Sequence, residues 1–324
     1  MKELSKIIDE KLSELNFAAN KPHELYAPAD YVLSLGGKHI RPLFTLLACK
    51  LFERDTKDNG ENTALPQALG VEIFHNFTLL HDDVMDNASV RRGKPTVHIK
   101  WNTGTAILSG DAMLVLAYMQ ITNAPAEKLP TLLKSFNYTA LGVCEGQQYD
   151  MNFETKTEVT LSEYMEMIRL KTAVLIAGAL DLGAIMGGAT ENERAVLREY
   201  GTNIGLAFQL QDDLLDLYAD EKTFGKKIGS DITEKKKTYL YIKALELLQE
   251  QNCTQERALL INALQQSDVS TIKTLYGKIN VKTCCQKEIE NYYGTALAAL
   301  SELPNNNAKK EIETLTETLL NRNR

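Results

Sequence analysis

Asp82–Asp86 reads D-D-V-M-D, and Asp212–Asp216, 130 residues further along the chain, repeats the pattern as D-D-L-L-D. Both stretches lie in long segments whose apolar residues recur at three- and four-residue spacing, which indicates helices. On a helix, the first and last carboxylates of each stretch stand about 5–6 Å apart on one face. Two negative charges that close repel each other and raise their pKa values unless a cation lies between them. The spacing therefore predicts a cation site on each helix.

The cation that suits such a site is Mg²⁺, because it takes hard oxygen ligands and is usually held by one or two carboxylates together with substrate phosphates. A single acidic motif is more often a solvated helix face or a helix cap, since Asp is a poor residue for a helix interior. Two copies, each followed by basic residues, favour function. Two such pairs facing each other across a cavity would hold a magnesium–diphosphate cluster.

Composition narrows the class of protein. The chain has 324 residues, of which 44% are hydrophobic, so it can bury a large core, and its formal charge of −7 argues against nucleic-acid binding. Its five cysteines are odd in number and lack metal-ligand spacing, which is typical of reduced thiols in a cytoplasmic protein. The most apolar stretch, from Thr172 to Gly188, is interrupted by Asp181 and favours a buried helix over a membrane span.

Helical periodicity covers nearly the whole chain, and no convincing alternating strand pattern is present. The T-x-x-E stretches that start at Thr160 and Thr190 have the capping-box form that begins a helix. We therefore predict an all-α fold, a single domain over residues 1–324 built as a bundle of roughly a dozen helices. Irregular stretches are expected near residues 36–37, 56–63, 88–103, 152–159 and 221–230.

Basic residues accompany the first acidic motif. Gly36–Pro42, G-G-K-H-I-R-P, places Lys38 and Arg41 beside a glycine turn just before a helix, an arrangement that suits an anion. Arg91 and Arg92 follow the motif in a loop, and Arg binds phosphate in bidentate fashion. A cationic stretch also follows the second motif. An acidic motif and then a cationic loop, twice over, is what capture of a metal-bound diphosphate requires.

Taken in order, these motifs resemble those of the trans-isoprenyl diphosphate synthases, the polyprenyl synthetase family that includes farnesyl and geranylgeranyl diphosphate synthases. The resemblance covers nearly the whole chain: G-G-K-x-x-R-P, H-x-x-x-L-x-H-D-D-x-x-D, R-R-G, G-Q-x-x-D, K-T, F-Q-x-x-D-D-x-x-D, G-K and D-x-x-x-x-K-x-T, in the family's order. It implies an isoprenoid synthase fold, in which the helices surround a deep central cavity, together with Mg²⁺ as cofactor and a homodimer. It also implies a prenyltransferase that condenses isopentenyl diphosphate head-to-tail with an allylic diphosphate into a short-chain all-trans prenyl diphosphate.

The resemblance further implies a role for each matched residue. The metal ligands would be Asp82, Asp86 and Asp212, supported by Asp83, Asp213 and Asp216. The groups around the allylic diphosphate would be Arg91, Asp150, Lys171, Lys226 and Lys236. The diphosphate of isopentenyl diphosphate would be held by Lys38, Arg41, His75 and Arg92. Thr172 and Gln209 would face the reacting carbon, and the residues expected to act in catalysis are Arg91, Lys171, Thr172 and Gln209.

Two departures from the family pattern matter. His39 stands where the family often has Arg, which weakens the expected site for isopentenyl diphosphate slightly. Lys226-Lys227 carries one extra residue before Ile-Gly, so the sequence leaves open which of the two lysines reaches a phosphate.

Product length depends on what closes the space beside the Asp82 helix. The growing chain should run toward the N-terminus of that helix, where Phe77 lies about 7–8 Å and Phe74 about 12 Å from Asp82. Either ring could form the floor, and because Thr78 is small, Phe77 is not paired with a second aromatic residue at that turn. The single aromatic residue and the absence of a two-residue insertion in the first motif resemble short-chain geranylgeranyl synthases, and this resemblance favours a C20 product over C15. The alternative is that both rings belong only to the core of the bundle.

The motifs leave some alternatives open and oppose others. A longer-chain polyprenyl diphosphate synthase has the same motifs and therefore remains an alternative. A terpene cyclase typically carries Asn, Ser and Glu in its second metal motif, and a non-catalytic partner subunit tends to lose a metal motif, whereas both motifs are intact here. A carboxylate-bridged di-iron bundle requires Glu-x-x-His pairs, which the sequence lacks.

Overall fold

The computed structural model of the protein describes residues 2–53, 63–219 and 228–320. Most of these residues are helical. The strands among them are one antiparallel pair of two residues each, Val90–Arg91 and Lys94–Pro95, within the stretch expected to be irregular. The predicted all-α fold is confirmed, and the short strand pair is the feature that periodicity analysis missed.

The described helices follow one another with short connections. A 3₁₀ turn at Phe17–Ala19 and a π-helical turn at Arg169–Ala173 lie between α-helices. In chain order the helices are α1 (Lys2–Glu14), α2 (His23–Ser34), α3 (Ile40–Phe52), α4 (Leu65–Met85), α5 (Val97–Lys100), α6 (Thr103–Ile121), α7 (Leu129–Thr155), α8 (Leu161–Ile168), α9 (Val174–Gly187), α10 (Glu191–Tyr218), α11 (Ser230–Thr233), α12 (Tyr239–Glu250), α13 (Thr254–Gln265), α14 (Val269–Lys278), α15 (Val281–Ser301) and α16 (Asn307–Leu320).

The chain forms two compact units. The first unit comprises Met1–Tyr138, Gly178–Leu197 and Leu303–Leu315. The second unit comprises Thr139–Ala177, Arg198–Glu302 and Thr316–Arg324.

Helix α4 is the central helix of the first unit. It packs against α1, α2, α3, α5 and α6, and most of its residues from Leu65 to Leu80 are buried. Two buried polar residues interrupt its apolar surface, and the Asn76 side-chain amide donates to Glu72 Oε1 at 3.1 Å. Polar residues reach the surface at its C-terminal end, and the first acidic motif lies there.

The core of the second unit gathers around α8, α10 and α12. Its buried residues include Tyr164, Leu210, Leu214 and Leu240. Helix α8 begins with the predicted capping box, in which the Thr160 hydroxyl accepts from the Glu163 N–H and the Glu163 carboxylate accepts from the Thr160 N–H. The long helix α10 thus buries its apolar face in this core and carries the second acidic motif near its own C-terminus.

Within the part of the chain that the structure describes, two helical stretches are long and apolar enough to cross a membrane by length and composition alone. In Leu161–Gly187, 83% of the apolar window is buried inside the protein, as expected for a core helix. In α6, Thr103–Ile121, only 33% is buried. The predicted burial of the Ala- and Gly-rich helix is therefore confirmed, and α6 stands out for an exposed apolar face.

Candidate active site

The first acidic motif is held by an arginine from the strand pair. Arg91 Nε donates to both carboxylate oxygens of Asp83, at 2.8 and 2.9 Å, and Arg91 Nη2 lies 3.5 Å from Asp82 Oδ2. Burial raises the pKa of Asp83 above its ordinary value, and the charge of Arg91 opposes that rise. Asp82 is half-buried and Asp86, the C-cap residue of α4, is exposed. Asp83 is therefore the inward member of the motif, and Asp82 and Asp86 are the outward pair.

This placement has an electrostatic cost. Carboxylates at a helix C-terminus face the negative end of the helix dipole, which destabilises them by a few tenths to about 1 kcal/mol each. Arg91 offsets part of that cost for Asp82 and Asp83. The C-terminal end of α4 therefore collects negative charge from Asp82, Asp83 and Asp86, with Arg91 beside the first two.

The basic residues of the first unit lie around the loop before α3. The Arg92 guanidinium donates to the Gly36 carbonyl and packs so closely on Gly37 that a Cβ there would lie 3.3 Å from Arg92 Nη2. Arg92 has a left-handed backbone with φ 51°, which turns its side chain away from that of Arg91. Lys38 is exposed in the same loop.

Arg41 and His75 contact each other at the start of α3. Arg41 Nη1 lies 3.1 Å from His75 Nε2. Burial, followed by the charge of Arg41, lowers the pKa of His75 well below its ordinary value, so the ring is neutral and Nε2 accepts from the guanidinium. The structure thus joins Arg41 with His75 and Arg92 with the glycine loop.

The second acidic motif also has inward and outward members. Asp213 Oδ2 accepts from the Tyr164 hydroxyl at 2.5 Å and from the Tyr239 N–H at 3.2 Å, while Oδ1 accepts from Gln209 at 3.2 Å. Burial raises the pKa of Asp213 to about 7, although these hydrogen bonds favour its ionised form. Asp213 is therefore a buried anchor of the motif.

Asp216 is an anchor of a different kind. Its carboxylate accepts from the Ser230 hydroxyl and from the Asp231 N–H, the latter at 3.2 Å, and thereby caps α11. Asp212 is only half-buried. Two carboxylates of the second motif are therefore buried, and Asp212 is the more accessible member.

Lys171 and Thr172 lie in the π-helical turn, immediately before α9 begins at Val174. Lys171 Nζ donates to Asp150 Oδ2 at 2.5 Å, and the Thr172 hydroxyl donates to Gln209 Oε1 at 3.0 Å. π-Turns often occur at functional sites, because the extra residue redirects side chains. The turn brings together four predicted site residues of the second unit.

Glycines on both neighbouring helices make room for this turn. A Cβ on Gly146 of α7 would lie 2.2 Å from the Lys171 backbone nitrogen, and a Cβ on Gly205 of α10 would lie 2.4 Å from Ala173 Cα. Both distances are impossible for real atoms, so any larger residue would displace the turn. Gly146 in the G-Q-x-x-D motif is therefore explained by backbone approach.

Lys236 is paired with Glu234 at 2.9 Å. Burial alone would lower the pKa of Lys236, but Glu234 together with Asp231 and Asp150 raises it, so the side chain is a permanent cation. Lys226 and its neighbour Lys227 lie outside the described residues.

The predicted length-determining rings belong to a series of aromatic contacts in the first unit. Ring centroids lie 5.5 Å apart for Phe74 and Phe77, 5.2 Å for Phe74 and Phe136, and 4.8 Å for Phe136 and Tyr118. Phe74 is fully buried and Phe77 nearly so. Thr78 is half-buried, and its hydroxyl donates to the His75 carbonyl at 2.8 Å.

The described residues contain no group of three or more His, Cys, Asp or Glu side chains close enough to hold a metal ion by themselves. Mg²⁺ seldom needs such a cage, because it keeps water and phosphate oxygens as ligands and takes one or two carboxylates from the protein. The outward pair Asp82 and Asp86 is an all-oxygen donor set of that kind. The residues present thus fit Mg²⁺ bound together with a phosphate-bearing substrate.

Several contributing residues carried no signal in the sequence. Tyr164 and Ser230 reach the second motif from outside it, and Glu72 supports the first basic loop from within an apolar helix. The only clue available was that a Glu inside an apolar run needs a partner.

Comparison with known proteins agrees with this geometry. The polyprenyl synthetase family profile matches residues 22–279. A geranylgeranyl diphosphate synthase from Methanosarcina mazei is 41% identical over 76% of this chain and 75% of its own length, and a geranylfarnesyl diphosphate synthase from Natronomonas pharaonis is 40% identical over 75% and 74%.

Solved structures extend the likeness to the whole chain. A crystal structure of a geranylgeranyl pyrophosphate synthase superposes with a TM-score of 0.90 at 41% identity and covers 100% of this chain and 99% of its own. A geranylgeranyl pyrophosphate synthase from Corynebacterium glutamicum, complexed with isoprenyl diphosphate and magnesium, has a TM-score of 0.87 at 25% identity and covers 99% of both chains.

The predicted family is therefore confirmed on two independent grounds, the sequence match and the superposition. The chain belongs to the polyprenyl synthetase family and is an enzyme of the trans-prenyltransferase class.

Proposed function

We propose that this enzyme condenses isopentenyl diphosphate with an allylic diphosphate, either dimethylallyl, geranyl or farnesyl diphosphate, to give a C20 all-trans prenyl diphosphate. The proposal rests on the difference in burial among the aspartates of each acidic motif. Asp83, Asp213 and Asp216 are buried, whereas Asp82 and Asp212 are half-buried and Asp86 is exposed. This is the division that the family resemblance implies for metal ligands and their supports.

We propose Mg²⁺ as the cofactor, held by Asp82, Asp86 and Asp212. The support is the oxygen donor set and the relative from Corynebacterium glutamicum that is complexed with magnesium. When bound, Mg²⁺ neutralises negative charge on the diphosphate as that group departs.

The chain's own cations have a matching task. Arg91, Lys171 and Lys236 each contact a carboxylate, so they are already positioned beside acidic groups. Preorganised cations of this kind stabilise charge that develops on the leaving group. The allylic C–O bond breaks, the diphosphate leaves with the electron pair, and the allylic carbon becomes cationic.

Carbon–carbon bond formation follows at the isopentenyl double bond. Lys38, Arg41, His75 and Arg92 would hold its diphosphate, while Thr172 and Gln209, joined by a hydrogen bond, would face the reacting carbon. The double bond attacks the cation, and the departed diphosphate accepts the proton that is lost. Water must be kept away from the cation during this interval.

The C20 assignment rests on Phe77. Its ring lies on α4 between His81 and Phe74, at centroid distances of 4.8 and 5.5 Å, and fills the space toward the helix N-terminus. The relative named as a geranylgeranyl synthase supports C20. The geranylfarnesyl synthase, equally similar, makes a longer C25 product the second candidate.

We further propose that the enzyme acts in the cytoplasm as a homodimer and that residues 1–324 work as one domain. All five cysteines are free thiols, which suits a reducing compartment. The exposed apolar face of α6 is a surface that a second copy would cover. The family profile runs through ranges of both compact units, which supports one functional domain.

The test of this function compares Asp82→Ala and Asp212→Ala with Glu317→Ala, an exposed carboxylate on α16. We expect each of the first two changes to reduce turnover about a hundredfold or more, the size typical of a lost electrostatic contact in the transition state. Helix content by circular dichroism should not change, and Glu317→Ala should behave like the original enzyme. EDTA should abolish turnover.

Two outcomes would refute the proposal: near-normal turnover of Asp82→Ala, or turnover that persists in EDTA. Consumption of an allylic diphosphate without isopentenyl diphosphate would instead identify a cyclase.

A further inference from the structure

His39 joins three elements beside the first basic loop. Its side chain is only 6% exposed. His39 Nδ1 lies 3.0 Å from Glu72 Oε1 on α4, and Nε2 lies 2.9 Å from Asp9 Oδ1 on α1. One imidazole therefore bridges two carboxylates that come from different helices.

This arrangement suits the protonated ring. Imidazolium carries an N–H on both nitrogens, whereas a neutral ring would turn one lone pair toward a carboxylate. The charged and titratable groups that face His39 are Glu72 from α4, Asp9 from α1, Arg92 from the loop after the first motif and neutral His75. Burial lowers the pKa of His39 and so does Arg92, but Glu72 and Asp9 outweigh both and raise it above the ordinary value.

The backbone of His39 sets the direction of the residues around it. His39 has φ 44° and ψ 38°, a left-handed conformation that is uncommon outside glycine, and it immediately precedes α3. Lys38 lies on one side of this turn and Arg41 just beyond it. Contacts that hold the His39 side chain therefore also fix the backbone positions of Lys38 and Arg41.

The anchor and the cation site share one face of α4. Glu72 and His75 are three residues apart on that helix, so their side chains are neighbours. His39 contacts the first and Arg41 contacts the second. Glu72 is itself fixed, because it is buried and accepts from Asn76 at 3.1 Å.

We propose that His39 is a positioning residue for isopentenyl diphosphate: bound between Glu72 and Asp9, it holds the 36–41 loop so that Lys38, Arg41 and Arg92 converge on one diphosphate. Asp9 thereby makes the N-terminal helix α1 a part of that site. The inference rests on the proposed function, which assigns those three cations to isopentenyl diphosphate.

A pH dependence follows, and its sign is fixed. Below its raised pKa, His39 is charged and the loop is held. As the pH rises through that value the bridge is lost, so the KM for isopentenyl diphosphate should rise. Removing the charge of Asp9 lowers the pKa of His39, so in Asp9→Asn the rise should begin at a lower pH.

The experiment measures both KM values and kcat from pH 5.5 to 9 for a set of variants. Asp9→Asn removes an exposed partner, and Glu10→Gln, the neighbouring carboxylate on α1, is its control. His39→Asn keeps a residue that tolerates the left-handed backbone. His39→Arg supplies a permanent charge. Arg92→Ala and Lys38→Ala are the references for the site itself.

We expect Asp9→Asn and His39→Asn to raise the KM for isopentenyl diphosphate about tenfold near neutral pH, with kcat and the allylic KM nearly unchanged. His39→Arg should have a KM for isopentenyl diphosphate close to that of the original enzyme. That KM should change less with pH than the KM of the control Glu10→Gln does. Ionisation of the substrate itself affects every variant equally. In parallel, NMR titration of the histidine ring protons should show the His39 pKa falling in Asp9→Asn.

The outcomes separate the two claims. If Arg92→Ala and Lys38→Ala raise the KM for isopentenyl diphosphate and the His39 and Asp9 variants do not, the positioning role is wrong. If the two reference variants leave that KM unchanged, the assignment of the site itself fails.

Discussion

At the scale of single residues, the acidic motifs show how identical side chains acquire different tasks. Asp82 and Asp83 are adjacent, yet the second is buried and bonded twice to Arg91 Nε while the first remains half-buried. Helix geometry alone causes this split, because adjacent residues point about 100° apart around the axis. Repetition of the motif therefore does not mean six equivalent ligands.

Product length is a residue-scale prediction. Shortening Phe77 to Ala opens space that the ring fills between His81 and Phe74, so we expect products at least one isoprene unit longer than C20. Chromatography of the dephosphorylated products measures this directly. Tyr138→Ala, which removes an exposed ring, is the control and should leave the distribution unchanged.

An unchanged distribution in Phe77→Ala would contradict the assignment of Phe77 as the floor. Both Phe77 and Phe74 would then be core residues only.

At the scale of helices, a buried ion pair fixes part of the first unit. Arg194 of α10 donates to Asp181 Oδ1 and Oδ2 of α9 at 2.9 and 2.8 Å, and Ser135 of α7 donates to the same carboxylate at 2.5 Å. Asp181, which interrupts the most apolar stretch of the sequence, is thus fully satisfied. Its partner could not be identified from spacing along the chain.

Breaking this pair should destabilise the protein strongly. In Arg194→Met the Asp181 carboxylate would remain buried without its countercharge, and we expect the free energy of unfolding to fall by about 3–5 kcal/mol. Denaturant titration followed by circular dichroism measures the change. Glu191→Gln removes an exposed partner of the same arginine and should cost at most about 1 kcal/mol. Equal losses in the two variants would show that burial of Asp181 is not the cause.

Sequence reasoning succeeded at this scale where periodicity and caps were decisive. The all-α fold and both capping boxes follow from three- and four-residue spacing, and Thr190 and Glu193 form their reciprocal bonds as expected. It failed where tertiary contact overrides local pattern. The π-turn at Lys171 depends on Gly146, which lies on another helix, and the strand pair around Arg91 is too short to alternate.

For the candidate site, the sequence predicted the chemical groups but not their pairing. Motif order identified Arg91, Lys171 and the six aspartates. The structure is needed to see that Arg91 contacts Asp83 and that Tyr164 donates to Asp213. It is also needed to see that His39 lies between two carboxylates. Such contacts join residues far apart along the chain, and no local pattern encodes them.

At the scale of the whole molecule, the surface of α6 predicts association. Ile107, Leu108, Val115 and Met119 are all exposed on this helix, with Leu108 and Met119 at 60% and 62%. Several large apolar side chains exposed on one helix often mark an interface. We expect the protein to sediment as a dimer at micromolar concentration.

Charge reversal tests this surface. Met119→Glu should shift the protein to monomer in sedimentation equilibrium, because a carboxylate would be buried between copies. Leu259→Glu, which alters an exposed leucine on α13, should remain dimeric. An unaltered protein that sediments as a monomer would refute the homodimer.

The aromatic series from Phe77 through Phe74 and Phe136 to Tyr118 also bears on how such enzymes diverge. Each ring touches the next, so removing one exposes another of similar size and not an open void. We therefore expect a single nucleotide change at one of these codons to alter the product by a discrete step while the fold and the diphosphate chemistry persist. Product length would then change along a lineage without a change of architecture, and relatives named as geranylgeranyl and geranylfarnesyl diphosphate synthases are nearly equally similar to this chain, at 41% and 40% identity.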